Sequence, residues 1–443
     1  MSRLRPQFAS TDSAGASAFD RPARQRRALT AQPPLSSALP VTPPNDIGLD
    51  GALVSRGSTD AAFAVDFIHR VRFTRDLFDP ANPTLADALD PQRRGRGVSR
   101  LVVAIDSGVS AAWPLLSERI RAYASAHTER VPAPEEFIAI DGGESCKNSV
   151  TFVDRMVEAV DRHRICRQSF IIAIGGGAVL DAVGFAASIA HRGVRLVRVP
   201  TTVLAQDDAS LGVKNGVNRF GKKNFVGAFT TPWAVLNDEQ FLETLPEQHW
   251  RDGFSEAVKI ALLRDPGFFH RMEEDADAIR ARNIAKAMPV IRRSAELHLR
   301  HIVRGGDPFE LREARPLDYG HWSAHKLETL TAFALSHGAA VGVGVALDTM
   351  YAALEGRLPE SDARRTLDLL DRLGIATWHP ALGDTDAMLR GLEEFREHLG
   401  GRLTLTLLRG IGQAEDVHAI DHAILRGAIE RLRPRRSIGR ELR

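Results

Sequence analysis

The sequence predicts an α/β half followed by an all-α half, and three observations carry that reading. Short β-branched runs alternate with amphipathic stretches from about residue 61 to 246, a run of three glycines directly follows one of the apolar runs, and beyond Pro246 long helical periodicities replace the β-runs. Alternation of this kind gives parallel βαβ units with right-handed crossovers. Residues 101–106 (LVVAID) are apolar through almost their whole length, as a strand buried on both faces requires. Residues 111–127 follow as a helix, 137–140 as a strand, 150–163 as a helix and 170–174 as a strand. Gly175-Gly176-Gly177 then opens a helix over 178–191, leaving bare backbone N–H groups at its N-terminus, where unpaired donors and the helix dipole suit a pyrophosphate. The next strand, 197–200, closes on Thr201-Thr202, so polar groups gather at strand C-termini, where open α/β sheets bind ligands. Past the boundary placed at Pro246, helical periodicity runs through 250–263, 285–303 and 321–335.

Composition narrows the function. The 443 residues are 44% hydrophobic, ample for a large core. Lys and Arg total 58 against 56 Asp and Glu, which leaves no strong net field to attract nucleic acid or an anionic membrane and favours small-molecule chemistry. Two cysteines cannot build a disulfide framework or a thiolate metal cluster, which suits a reducing cytoplasm. No apolar run approaches the ~20 residues that span a bilayer. Residues 1–60, rich in Ser, Ala, Pro and Arg and without sustained periodicity, are expected to form a disordered arm.

Two constellations carry chemistry. The stretch with Gln206, Asp207, Asp208, Lys214, Asn218, Lys222, Lys223 and Asn224 is either a solvated polar loop or a phosphate cradle, since Lys and Asn supply the charge and donors that phosphate oxygens need. Farther on, Glu256 and Lys259 lie three apart on one predicted helix, and His321 and His325 four apart on another, with His337 beyond. Histidines are commonly structural or exposed, but one Glu with two His is also a composition that holds catalytic zinc with an open coordination position.

In order, these pieces resemble the 3-dehydroquinate synthase family of sugar-phosphate cyclases, as a divergent member. Gly142-Gly143-Glu144-Ser145-Cys146-Lys147 is similar to the family segment that holds the NAD adenosine and ribose, and Gly175 to Asp181 to its nicotinamide-side glycine turn. His191-Arg192-Gly193, followed by Val199-Pro200-Thr201-Thr202-Val203-Leu204-Ala205-Gln206, matches its most recognisable stretch. The resemblance implies a Rossmann-like NAD domain over 61–246 and an all-α metal- and substrate-binding domain over 247–443. It implies that NAD is bound by Asp106, Gly142, Gly143, Glu144, Lys147, Gly176, Gly177, Asp181, Thr201, Thr202, Lys214, Lys223, Phe241 and Thr244. Zinc or cobalt would sit on Glu256, His321 and His337. Lys259, Asp208 and His325 would relay protons, and Lys214, Asn224 and Arg192 would bind the substrate phosphate. Arg192 would reach a neighbouring subunit, which implies a homodimer. The implied reaction is redox-neutral: oxidation of a ring hydroxyl, elimination of phosphate, reduction, and aldol closure of a C7 ketose phosphate.

The departures from the family pattern fall on substrate recognition. The histidine motif is Leu317-Asp318-Tyr319-Gly320-His321-Trp322-Ser323-Ala324-His325, with Asp318 where the family carries Asn. Ala314 stands where the family places an arginine that clamps the substrate carboxylate, with Arg315 displaced by one, and His298 and Arg396-Glu397 replace lysine positions. An Asp repels a substrate carboxylate and accepts from a hydroxyl. Asp318 therefore favours sedoheptulose 7-phosphate, with its hydroxymethyl end, over 3-deoxy-arabino-heptulosonate 7-phosphate, which Arg315 keeps open. Two other classes fit the layout: metal-dependent alcohol or glycerol dehydrogenases, which need no phosphate cradle, and a non-catalytic scaffold, which needs no metal triad.

Overall fold

The computed structural model describes residues 65–89, 99–148, 150–305, 308–309, 317–398 and 400–434, with 54–55 and 58–59 before them. The N-terminal unit ends at Val65 and the second unit runs from Asp66. In the first, β1 (Val54–Ser55) and β2 (Ser58–Thr59) pair antiparallel, so this part of the expected disordered arm carries structure; the rest of that arm, like Ala314 and Arg315, lies outside the described residues.

The second unit is built on a six-stranded parallel sheet of β3 (Val71–Thr74), β4 (Leu101–Asp106), β5 (Pro134–Ile140), β6 (Phe170–Gly175), β7 (Arg195–Pro200) and β10 (Ala234–Asp238), ordered β3-β10-β7-β6-β4-β5. Strand periodicity divides β4 between two cores. Val102 and Ala104 pack with residues of the helices Val150–Arg162 and Gly177–Ile189, whereas Leu101, Val103 and Ile105 pack with Leu77, Ile120 and Tyr123 on the opposite face. Each fully buried aliphatic side chain contributes about 1.5–3 kcal/mol. The chain runs from β4 out to β5 and then returns to place β6 on the other side of β4, so the order reverses at β4/β6 and a crevice opens at their C-terminal ends.

Local chemistry corrects three expected elements. The helix expected over 111–127 is two helices, Ser107–Ala112 and Leu116–Ala126, because Pro114 lacks an N–H and forces Trp113 out of the helical region (φ −127°, ψ 70°). The polar stretch read as a loop is a π-helical turn, Ala205–Ala209, and an antiparallel hairpin of β8 (Lys214–Arg219) and β9 (Lys222–Phe229). Phe220 and Gly221, both at positive φ, form its two-residue turn. The helix expected over 321–335 stops at Leu330, where Thr331 turns its hydroxyl onto the Leu327 carbonyl and Ala332 and Phe333 adopt left-handed backbone. Ser336 then caps a new helix, His337–Leu354, with its Oγ accepting from Ala339 N.

The remaining helices include Glu247–Arg264, Pro266–Arg280, Ile284–Arg304 and His321–Leu330. This half is not purely helical, since β11 (Leu405–Gly410) and β12 (Gln413–Val417) form a hairpin. Glycines set its closest approaches: a Cβ on Gly344 would stand 2.0 Å from the Gly320 carbonyl oxygen, and one on Gly338 2.3 Å from that of Asp252. The 337–354 helix therefore lies against both the 321–330 and the 247–264 helices. No helix among the described residues is long and apolar enough to cross a membrane.

Candidate active site

The expected nucleotide residues gather at the strand C-termini. Asp106 ends β4 and accepts from Gly108 N (2.8 Å), and a Cβ on Gly142, after β5, would meet its Oδ2 at 2.6 Å. Gly143 (φ 78°) faces open space. Gly176 caps the 177–189 helix without offering a side chain, and a Cβ on Gly177 would stand 3.0 Å from Ala209 Cβ. Thr201 N donates to the Gly175 carbonyl (3.0 Å), which ties β7 to the glycine turn, and Thr202 Oγ1 accepts from Ala205 N (3.1 Å). Phe241 and Thr244 lie on the turn after β10, but Phe241 sends its ring into the core against Trp113, whose indole donates to Thr244 Oγ1 (2.9 Å).

A polar cluster stands in front of these glycines. Lys147 is 3% exposed, and its Nζ lies 2.7 Å from Asp181 Oδ2, 2.8 Å from Asn224 Oδ1 and 4.0 Å from Glu144 Oε2. Burial disfavours its charge, but Asp181 and Glu144 outweigh that and hold its pKa above the usual lysine value. Asn218 closes the cluster, donating to Glu144 Oε1 (3.0 Å) and accepting from Asn224 N (2.8 Å). Asn224, expected at the phosphate, is thus bound through its Oδ1 to the Lys147–Asp181 pair, which leaves its Nδ2 as a donor.

The metal-side residues converge from three helices. Glu256, 1% exposed, projects from the 247–264 helix, and ligand atoms of Glu256, His321 and His337 all lie within 4.8 Å of one another. His321 directs Nδ1 at the Tyr319 carbonyl (3.2 Å) and Nε2 at Glu256 Oε1 (3.4 Å). His337 directs Nδ1 at Glu328 Oε2 (3.3 Å) and Nε2 at the same Glu256 oxygen (3.6 Å). Outer partners of this kind orient the rings so that the two Nε2 atoms point inward. Both carboxylate oxygens of Glu256 are buried, and Lys259 Nζ stands 2.5 Å from Oε2 as an ion pair. Burial opposes ionisation of Glu256, yet Lys259 and then His321 hold its pKa well below the ordinary value. A buried, ionised carboxylate faced by two imidazole nitrogens is the donor set a divalent cation fits.

Around this triad the expected residues divide. Asp208, on the π-helical turn, interacts electrostatically with Glu256 and Lys259, and Asp318 adds its field to that of Lys259. His325 stands beside both metal-side imidazoles, with ring centroids 5.6 Å from His321 and 6.0 Å from His337. Close packing around it, then His321 and His337, pull its pKa well below the usual histidine value, although the residue as a whole is exposed. Lys223, expected on the nucleotide, instead bonds Glu328 (2.6 Å), and so links β9 to the second partner of His337. Lys214 is exposed at the start of β8, and its carbonyl accepts from Arg198 (3.2 Å). Arg192 is not brought to the cluster: it is exposed on a tight turn where His191, Arg192 and Gly193 have φ of 51°, 62° and 123°.

Two contributors escaped the sequence reading. Glu328 lies one helical turn beyond His325, a spacing that would have flagged it. Asp348 accepts from Gly320 N (2.8 Å) and Trp322 Nε1 (2.9 Å), fixing the start of the helix that carries His321; it follows no motif. Asp207, read only as part of the polar stretch, is fully buried with neither carboxylate oxygen partnered; burial and the adjacent Asp208 drive its pKa well up, toward a neutral acid.

Comparison with known proteins gives the chain its family. The chain matches the 3-dehydroquinate synthase N-terminal domain over residues 137–252 and the C-terminal domain over 253–394. It is also 34% identical to a 2-epi-5-epi-valiolone synthase of Streptomyces glaucescens over 87% of this chain and 96% of the relative. The chain belongs to the 3-dehydroquinate synthase family. Within that family it is 39% identical to a 3-dehydroquinate synthase of Xylella fastidiosa over 59% of this chain and 71% of the relative. Its fold matches that of a 2-epi-5-epi-valiolone synthase from Streptomyces hygroscopicus, solved with NAD+ and Zn2+, with a TM-score of 0.75 and 30% identity, covering 84% of this chain and 99% of that one. Both family-model matches meet between Asp252 and Gly253, inside the 247–264 helix that carries Glu256.

Proposed function

We propose that this family member is a sugar-phosphate cyclase that uses NAD and a divalent metal, zinc or cobalt, to eliminate phosphate from a C7 ketose phosphate and close the product into a carbocycle. The observation that carries the proposal is the buried Glu256 carboxylate faced by His321 Nε2 and His337 Nε2, together with a strand-end rim of glycines and the ion pair of buried Lys147 with Asp181. Glu256, His321 and His337 hold the metal. The bare N-terminus at Gly176 and the open backbone at Gly143 receive NAD, as the α/β half's part of the division between residues 61–246 and 247–443.

When bound, NAD takes up and returns a hydride, and the metal stabilises negative charge on a substrate oxygen. The chain's own groups do the rest. Lys259 keeps Glu256 ionised. Asp208 accepts the proton of the substrate hydroxyl at its carboxylate, and His325, held neutral by its surroundings, passes protons at its free ring nitrogen. Asn224 Nδ2, Lys214 and Arg192 bind the phosphate, with Arg192 coming from the partner in a homodimer. The same reading places the enzyme in the cytoplasm.

Asp318, within electrostatic reach of Lys259, favours a hydroxymethyl end and hence sedoheptulose 7-phosphate. The 2-epi-5-epi-valiolone synthases among the relatives support the same choice. Phosphate release from the zinc- and NAD-loaded enzyme, offered sedoheptulose 7-phosphate and 3-deoxy-arabino-heptulosonate 7-phosphate in parallel, decides it. Release from the first alone is expected; release from the second alone overturns the assignment of Asp318.

A further inference from the structure

Asp208 has one strong partner, and it comes from outside the triad. Its Oδ1 lies 2.6 Å from Nδ1 of His298, on the Ile284–Arg304 helix, with the two side chains 20% and 16% exposed. That separation is at the short end for N–H···O contacts and typical of a charge-assisted bond, so Nδ1 carries the proton and donates it to the carboxylate. Asp208 needs such a partner for two reasons. It stands on a π-helical turn, where Ser210 N reaches back to the Ala205 carbonyl and the backbone lacks the regular helical ladder. It also faces the charge of Glu256, which with burial disfavours a second carboxylate, while His298 and then Lys259 oppose that penalty and bring its pKa below the ordinary value. Among the described residues, no other side chain is seen hydrogen-bonded to the Asp208 carboxylate.

We propose that His298 is a positioning residue for Asp208: its Nδ1–H fixes the carboxylate in one orientation so that Asp208 meets the substrate hydroxyl proton without first having to turn. This rests on the proton-accepting role given to Asp208 above. His298 touches neither the triad nor the nucleotide-side cluster in any contact seen among the described residues, so its influence runs through Asp208. A side chain that acts only through another has no effect once that other is disabled.

The test is a double-mutant cycle on the full-length, zinc- and NAD-loaded enzyme, with phosphate release as the readout. His298→Leu is expected to lower kcat about 10- to 100-fold, the range found for groups that orient a functional ligand, with little change in KM. His298→Asn, which keeps a donor near the Nδ1 position, restores most of the loss, and His298→Leu in an Asp208→Asn background costs nothing further. Wild-type kcat in His298→Leu, or losses that multiply in the double variant, overturns the proposal. A second measurement is independent of turnover. In 15N-histidine-labelled protein the Nδ1–H proton assigned by its absence in His298→Leu is expected far downfield, and Asp208→Asn moves it upfield. An Nδ1 without a proton, or a resonance indifferent to Asp208→Asn, overturns the dyad even if no sugar phosphate is turned over; absent phosphate release with an intact resonance overturns the cyclase reading alone.

Discussion

The glycine rim and the Glu256–His321–His337 triad are made of different material. At the rim, Gly142, Gly143, Gly176 and Gly177 present backbone, and their positions follow from strands that end and helices that begin where the local sequence dictates. At the triad, Glu256, His321 and His337 present side chains from three helices, and their meeting depends on close helix packing at Gly338 and Gly344 rather than on any local motif. Polar groups at the rim are mutually satisfied, as Lys147, Asp181, Asn218 and Asn224 show, whereas Glu256 is ion-paired to Lys259 through Oε2 and turns Oε1 to two imidazoles. A hydrogen-bonded cluster holds shape; a buried carboxylate facing two imidazoles is a group that could hold a cation.

This contrast predicts separable failures. Glu256→Gln removes charge from the triad and leaves the rim alone, so phosphate release falls by about three orders of magnitude, the scale of losing a preorganised electrostatic group, while NAD stays bound; co-purifying zinc and NAD measure the two sides independently. Lys147→Met does the reverse. It strands Asp181 and frees Asn224, and NAD affinity is expected to drop about 10- to 100-fold, as when one of a set of orienting partners is lost, with zinc content unchanged by metal analysis. Gly344→Ala drives a Cβ into the Gly320 carbonyl and costs about 1–3 kcal/mol, seen as a lower unfolding temperature together with weaker zinc binding.

The smallest effect concerns Glu328. Burial lowers the proton affinity of His337, but Glu328, followed by Glu256, raises its pKa to about 9. Zinc must displace that proton, so zinc affinity rises with pH up to about 9 and levels off above it. Glu328→Gln removes the main raising group: the levelling pH moves down, and affinity above it falls about tenfold through loss of the orienting bond to Nδ1. Zinc titrations between pH 6 and 10 follow both changes, and an unmoved levelling pH would show that Glu328 does not govern His337.

The rim was largely legible in the sequence because its signals are local. An apolar run, three glycines and a helix are contiguous, and β6 and the following helix form within a residue or two of the expected positions. The triad residues were named from spacing and resemblance, but their outer partners were not. Glu328, one turn beyond His325, could have been flagged by spacing, but its pairing with His337 depends on the 337–354 helix folding back beside it, and His298 stood out only as a departure from a lysine until the 284–304 helix met the π-helical turn. The β8–β9 hairpin was missed because its turn is Phe220-Gly221, without the usual Asn or Asp, and its strands are rich in polar residues. Pro114 was a signal present in the sequence and overlooked.

The most direct test of the account is to follow free NADH and phosphate together while the enzyme turns over sedoheptulose 7-phosphate. A redox-neutral cyclase releases phosphate through many turnovers while NADH never exceeds the enzyme concentration. NADH accumulating in step with substrate consumption, without phosphate, would contradict it and make the same triad and rim the site of a dehydrogenase.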